Sequence, residues 1–233
     1  MKNIVLAFLL VKVCLLVCIN ESFAESKYTV RRFAIVIGAN YGGPKRIKLR
    51  YAVSDAVSIM KVLNEMGGVL PGDSLLLVEP GRNKLLSSLK KFRNKIREGK
   101  SSAGRIETIF YYSGHSDEGS VLLGNDKVSY KEIKDYIDSL PADVRIAILD
   151  SCSSGAFTRI KGGKMRPPFL VDTSYSMKGY AFMTSSSMDE ASQESDRIKG
   201  SFFTHYLVSG LRGAADMTQD GRVTLSEAYQ YAY

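Results

Sequence analysis

The residues Phe33-Ala34-Ile35-Val36-Ile37-Gly38 are apolar without interruption and close on glycine. A strand with one wet face alternates apolar and polar side chains, whereas an unbroken run belongs to a strand covered on both sides. The chain must therefore supply helices for two faces of one sheet, and it does so in alternation. Val53, Ala56, Val57, Met60 and Leu63 recur at helical spacing, and Ser74 to Val78 is a second apolar run. Leu85, Leu89, Phe92 and Ile96 mark a second helix, with basic residues on its other faces. Thr108 to Tyr112 reads as a third strand. A hairpin follows, Val121–Gly124 and Lys127–Tyr130, turning at Asn125-Asp126. Ser129 with Glu132 forms a capping box for a helix whose apolar face is Ile133, Tyr136, Ile137 and Leu140. Arg145 to Leu149 and Tyr180 to Thr184 are the predicted fourth and fifth strands. Ser201 to Gly213 is predicted helical, and Thr224 starts the last helix. This alternation predicts an α/β fold, a three-layer sandwich whose mostly parallel central sheet carries helices on both faces.

In such sheets ligands bind beyond the carboxyl ends of the strands. The third strand leads into Ser113-Gly114-His115-Ser116, and the fourth into Asp150-Ser151-Cys152-Ser153-Ser154-Gly155. His115 is one of two histidines and Cys152 one of three cysteines. The other cysteines, Cys14 and Cys18, lie in a segment laid out as a secretory signal peptide. Lys2 opens it, Ile4 to Ile19 is apolar except for Lys12, and Ser22 and Ala24 are the small residues a signal peptidase reads. The expected organisation is a signal peptide over 1–24 and one domain over 25–233. The protein is expected to be exported, periplasmic or secreted, touching a membrane only through an uncleaved signal. Exported proteins usually commit their cysteines to disulfides, so a single remaining thiol calls for a chemical explanation.

A thiol becomes a strong nucleophile when a nearby histidine takes its proton, and the imidazole can later protonate a leaving amine. A cysteine at a strand end also exposes backbone N–H groups able to hold an oxyanion. Either residue alone has a bland alternative, an inert buried cysteine or a structural histidine. Together, at two strand ends of one sheet, they point to a catalytic pair. His205, within Phe202-Phe203-Thr204-His205-Tyr206-Leu207, reads as a structural residue of an apolar helix.

The segments Tyr111-Tyr112-Ser113-Gly114-His115 and Leu149-Asp150-Ser151-Cys152-Ser153-Ser154-Gly155 resemble the histidine and cysteine boxes of the caspase and metacaspase superfamily. The chain is similar above all to the bacterial caspase-like branch, from about Arg32 to its end. The resemblance implies a caspase-like fold and a cysteine endopeptidase with His115 and Cys152 as its dyad. It implies an oxyanion hole from the backbone N–H groups of Cys152 and Ser116, where the family usually has glycine in place of Ser116. Metacaspases usually carry histidine where this chain has Ser153. It further implies a specificity pocket lined by Asp55, Ser113 and Asp150. Two acids there favour arginine or lysine before the cleaved bond, since a guanidinium takes bidentate carboxylate partners. A pocket for aspartate would need arginines, and Arg46 and Arg50 stand near the first-strand loop. Asp55 also has a simpler role near a helix N-terminus, and Asp150 as a turn cap. In this superfamily the region matching Arg159 to Pro168 is often cut during activation, which suggests self-cleavage after a basic residue there.

No metal or cofactor is required by this reading. The segment Asp216 to Glu227 has the spacing of an EF-hand calcium loop, with acids at its first, fifth and twelfth places and glycine at the sixth. The competing reading is an Asp220-Gly221 turn followed by a capping box, Thr224 with Glu227. The net charge is +8, its positive charges dispersed with local clusters at Lys45–Arg50, Lys90–Arg97 and Arg159–Arg166, without the interleaved aromatics of a nucleic-acid surface. The expected partner is a protein or peptide substrate; the oligomeric state stays open. The alternatives are a non-catalytic caspase-like module that binds a peptide or partner, and another thiol chemistry on the same sheet.

Overall fold

The computed structural model describes residues 29–151, 179–185 and 194–233. The expected signal peptide, Cys152 and the basic loop 159–168 lie outside the described residues. Within them, no helix is long and apolar enough to cross a membrane.

Five strands form one sheet: β1 (Val30–Ala39), β2 (Val69–Val78), β3 (Arg105–Gly114), β6 (Val144–Asp150) and β7 (Gly179–Thr184). Their order is β2-β1-β3-β6-β7, and every neighbouring pair is parallel. The five runs expected as strands are these five. Two short antiparallel ladders lie outside the sheet, β4 (Ser120–Leu123) with β5 (Asp126–Ser129) and β8 (Glu194–Ser195) with β9 (Gly200–Ser201). The helices are α1 (Ala52–Glu65), α2 (Arg82–Gly99), α3 (Tyr130–Asp138), α4 (Phe202–Ser209) and α5 (Leu225–Ala232).

The unbroken apolar runs are explained by the two faces of the sheet. Phe33, Ile35 and Ile37 join α2, α3 and the β4–β5 ladder in one core. Ala34 and Val36, pointing the other way, join α1, α4 and α5 in the second. Phe33 is fully buried and meets Phe92 edge-to-face, ring centroids 6.1 Å apart. Phe33→Ala should cost about 3–5 kcal/mol through lost burial and the cavity left behind. Urea denaturation measures this, and a loss under about 1 kcal/mol would mean the site collapses around the smaller side chain.

Local details depart from the sequence expectations. The hairpin pairs Leu123 with Asp126, so its turn is Gly124-Asn125, one residue earlier than expected, and Gly124 takes the left-handed conformation (φ 62°) that this tight turn requires. Tyr130 belongs to α3, which the Ser129–Glu132 capping box starts as expected. The helix from Ser201 ends its regular part at Ser209 and closes in a wider turn over Gly210–Ala214. On α1, Val57 is exposed, whereas the buried residues include Asp55.

Candidate active site

β3 and β6 are neighbours, and Ser113 pairs with Asp150 at their carboxyl ends. On the other side of β3, Gly38 pairs with Ser113 and Ala39 with Gly114. The chain after β3 therefore emerges beside the chain after β1 and level with the end of β6. His115 is the first residue past β3. Its backbone is held firmly: the His115 carbonyl accepts from Leu122 N–H (2.9 Å) and from the Tyr112 hydroxyl (2.6 Å). Gly114 permits this close approach, because a Cβ there would sit 2.5 Å from Tyr112 Oη and 2.8 Å from Ala39 O.

The His115 ring is partly exposed and lies 2.8 Å, through Nε2, from the carbonyl oxygen of Ile47. A carbonyl only accepts, so Nε2 donates here, and in the neutral ring the lone pair is on Nδ1. The Ile47 loop is anchored at both ends. Asn40 and Tyr41 N–H donate to Glu79 (3.0 and 3.4 Å), and Gly124 N–H donates to Tyr41 O (2.8 Å). Leu49 N–H returns to Asn40 O at 2.9 Å. Gly42 in this loop lies against the imidazole, where a Cβ would come within 2.5–2.6 Å of three ring-side carbons of His115.

Beside His115 opens a small cleft. Three acids line it, Asp55, Asp150 and Glu194, together with Ser113 and Ser201. Asp55, Ser113 and Asp150 are all buried. The structure thus brings together four residues expected from sequence: His115, Asp55, Ser113 and Asp150. Burial above all, then the neighbouring Asp150 carboxylate, pushes the Asp55 carboxyl up to about 8, with Glu194 adding to the rise and the Ser201 N–H opposing it. Asp150 is no simple turn cap, since its Oδ2 accepts from the hydroxyls of Ser201 and Thr204, the latter at 2.6 Å. Ser116, the other backbone donor expected, is buried and forms a bridge with Val121. Cys152 lies outside the described residues; Ser151 before it is buried and donates its N–H to Ser185 Oγ at 3.1 Å.

Neither arginine considered for an aspartate pocket lines the cleft. The Arg50 guanidinium is bound to Asp196 at 2.6 and 2.8 Å. His205 sits on the exposed side of α4, edge-on to Tyr206 with centroids 5.5 Å apart, rather than inside the apolar face.

The Asp216–Glu227 loop satisfies its acids internally. Asp216 accepts from Asp220 and Gly221 N–H (3.2 and 3.0 Å). Glu227 accepts from Thr224 and Thr218, which holds its carboxyl down to about 2, with the Thr224 backbone N–H the leading cause. Among the described residues, no group of three or more His, Cys, Asp or Glu is placed to hold a metal ion.

Glu194, Ser201, Ile47 and Gly42 had no role in the sequence reading. Ser201 carried one local signal, a serine opening a helix, which its bond from Thr204 N–H now explains. The others are joined to the site across distances no local pattern spans.

A family model described as the caspase domain, peptidase C14, matches residues 31–229. Metacaspase-1 of Candida glabrata is 31% identical over 159 residues, covering 58% of this chain and 40% of its own. Metacaspase-1 of Sclerotinia sclerotiorum is 28% identical over 159 residues, with 58% and 36% covered. Metacaspase-1A of Aspergillus fumigatus is 29% identical over 158 residues, with 58% and 38% covered. The chain spans about two fifths of the length of these relatives.

Proposed function

From the premise that this chain belongs to the caspase-domain family of C14 cysteine peptidases, we propose that it is an endopeptidase cutting after arginine or lysine, with Cys152 as nucleophile and His115 as its base. The observation that carries this reading is the cleft in which buried acids stand beside His115. A buried carboxylate pair without a cation is unfavourable, and a substrate guanidinium or ammonium relieves it. Cys152 follows Asp150, a wall of the same cleft, by two residues.

In this mechanism His115 Nδ1 takes the thiol proton and the sulfur attacks the carbonyl carbon of the scissile bond. The oxyanion accepts from the backbone N–H groups of Ser116 and Cys152. The imidazolium gives its proton to the amine as the C–N bond breaks. Water, deprotonated by His115, then hydrolyses the thioester and restores the thiol.

Fluorogenic peptides ending in Arg, Lys or Asp test this on purified protein, wild type against Cys152→Ala, with and without calcium. Cys152-dependent cleavage after Arg or Lys is expected. Cleavage after Asp would discard the pocket assignment and keep the dyad. No cleavage by folded protein would favour a module that binds peptides without cutting them.

Because Gly42 lies against the imidazole, any side chain there displaces the base. Gly42→Ala should lower kcat/KM about 10²-fold, the scale of a misplacement near 1 Å. Its urea stability should stay within about 0.5 kcal/mol, as for most substitutions outside the core. An alanine variant of full activity would show that the imidazole works from another position.

We also place the mature enzyme outside the cytoplasm, on the strength of the signal-like segment ending at Ala24. N-terminal sequencing of protein recovered from the host should read from Glu25; an intact Met1 in exported material would mean an uncleaved anchor.

A further inference from the structure

Asp55 and Asp150 come from α1 and from the end of β6, and they are 4% and 2% exposed. Two buried carboxylates facing one cleft repel each other. One residue donates to both. Ser201 sends its backbone N–H to Asp55 Oδ2 at 3.1 Å and its hydroxyl to Asp150 Oδ2. The same hydroxyl oxygen accepts the Thr204 N–H at 3.0 Å and so caps α4. Thr204 adds its own hydroxyl to Asp150 Oδ2, and the Tyr111 hydroxyl lies 2.5 Å behind it. Ser201 and Thr204 are 3% and 1% exposed. Next to Ser201, a Cβ on Gly200 would lie 2.6 Å from Asp55 Oδ1, so only glycine lets the backbone approach this closely.

The segment bearing Ser201 is clamped to the helix that carries Asp55. Helix α1 has no cap from its own N-cap residue, Tyr51. Asn40 Oδ1 serves instead, accepting the Val53 N–H at 3.0 Å, and Glu194 holds the chain just before the helix, accepting the N–H groups of Arg50 and Tyr51 at 2.9 Å each. Asp196 binds the Arg50 guanidinium and the Tyr51 hydroxyl, the latter at 2.7 Å. The β8–β9 ladder is therefore fixed at one end to the start of α1 and delivers Ser201 between the acids at the other.

Building on the proposed cleavage after basic residues, we propose that Ser201 is a positioning residue that sets the Asp55 and Asp150 carboxylates as one paired seat for a guanidinium, and so sets the preference for arginine over lysine. A planar guanidinium presents parallel N–H pairs that need carboxylates held in a fixed relation, whereas an ammonium is a point charge indifferent to their mutual angle. Loss of the Ser201 hydroxyl removes one donor from Asp150 while Thr204 still donates to it, so the seat loosens without emptying.

The experiment compares wild type, Ser201→Ala and Ser201→Thr in the full protein, on matched arginyl and lysyl peptides. Circular dichroism first establishes that each is folded. Ser201→Ala should raise KM for the arginyl peptide about tenfold and for the lysyl peptide about twofold, with kcat lower by less than about threefold. Ser201→Thr, which keeps the hydroxyl, should restore the arginine preference. Calorimetry with ethylguanidinium and propylammonium reads the same preference without catalysis. An unchanged Arg/Lys ratio in Ser201→Ala overturns the inference while leaving the peptidase reading intact. Wild type that prefers ethylguanidinium, with the preference lost in Ser201→Ala but no peptide cleaved, overturns the peptidase reading and upholds the seat.

Discussion

His115→Ala is expected to lower kcat/KM on an arginyl peptide by about 10³-fold or more, with KM within about threefold of wild type. Two steps depend on the imidazole, removal of the thiol proton and protonation of the leaving amine, so both lose their catalyst at once. Binding should survive because, in the proposed site, the substrate cation is held by other groups, Asp55 and Asp150, which line the cleft. Folding survives as well. The ring is partly exposed and its one assigned bond is to Ile47 O, while the backbone bonds of residue 115 to Leu122 and Tyr112 do not involve the side chain. His115→Gln should be as inactive as the alanine variant, since an amide donates a hydrogen bond but takes no proton near neutrality. Either variant keeping more than about a tenth of wild-type kcat would remove His115 from the role of base.

Asp55→Asn should lower kcat/KM for arginyl peptides by about 10²–10³-fold, the scale of removing one partner from a buried ion pair. Its effect on stability runs the other way. In the unfolded chain the Asp55 carboxyl ionises at its ordinary value of 3.8, and in the fold, where burial and then Asp150 disfavour the charge, at about 8. Between those values the native state holds a proton that the unfolded state has lost. The contribution of Asp55 to stability therefore falls as pH rises from about 4 to about 8 and is level outside that window. Asparagine has no such loss. The variant should gain on wild type in melting temperature from pH 5 to pH 8, while wild-type KM for arginyl peptides falls as Asp55 ionises. Parallel melting curves at both pH values would show that the carboxyl is already ionised in the empty cleft.

The sheet was legible because burial on both faces leaves short unbroken apolar runs, as in Phe33 to Gly38, rich in β-branched residues and alternating with helical patterns. The capping boxes at Ser129 and Thr224 were legible because they are complete within four residues. What failed was failure of range. Periodicity assigned Val53 and Val57 to the core-facing side of α1 and had no means to assign Asp55, whose burial is made by Ser201 and Asp150 arriving from far along the chain. Glu194 looks like any surface acid until the fold places it at the start of α1. His205 followed the apolar residues around it in sequence, yet α4 turns it outward. The acids Asp55 and Asp150 came from a family likeness rather than from any local pattern, and the fold places both in the cleft beside His115.

The acceptor that orients His115 is a main-chain carbonyl, that of Ile47. It is specified by no codon. Any missense change at position 47 leaves the oxygen in place, so a scan of single substitutions would pass over this residue as dispensable. The same scan would register the tethers that shape the loop, Glu79 among them, as sites sensitive for no evident reason. In heredity the group is carried by a path of chain, and its loss would be mapped to a few tethering positions such as Glu79 rather than to position 47.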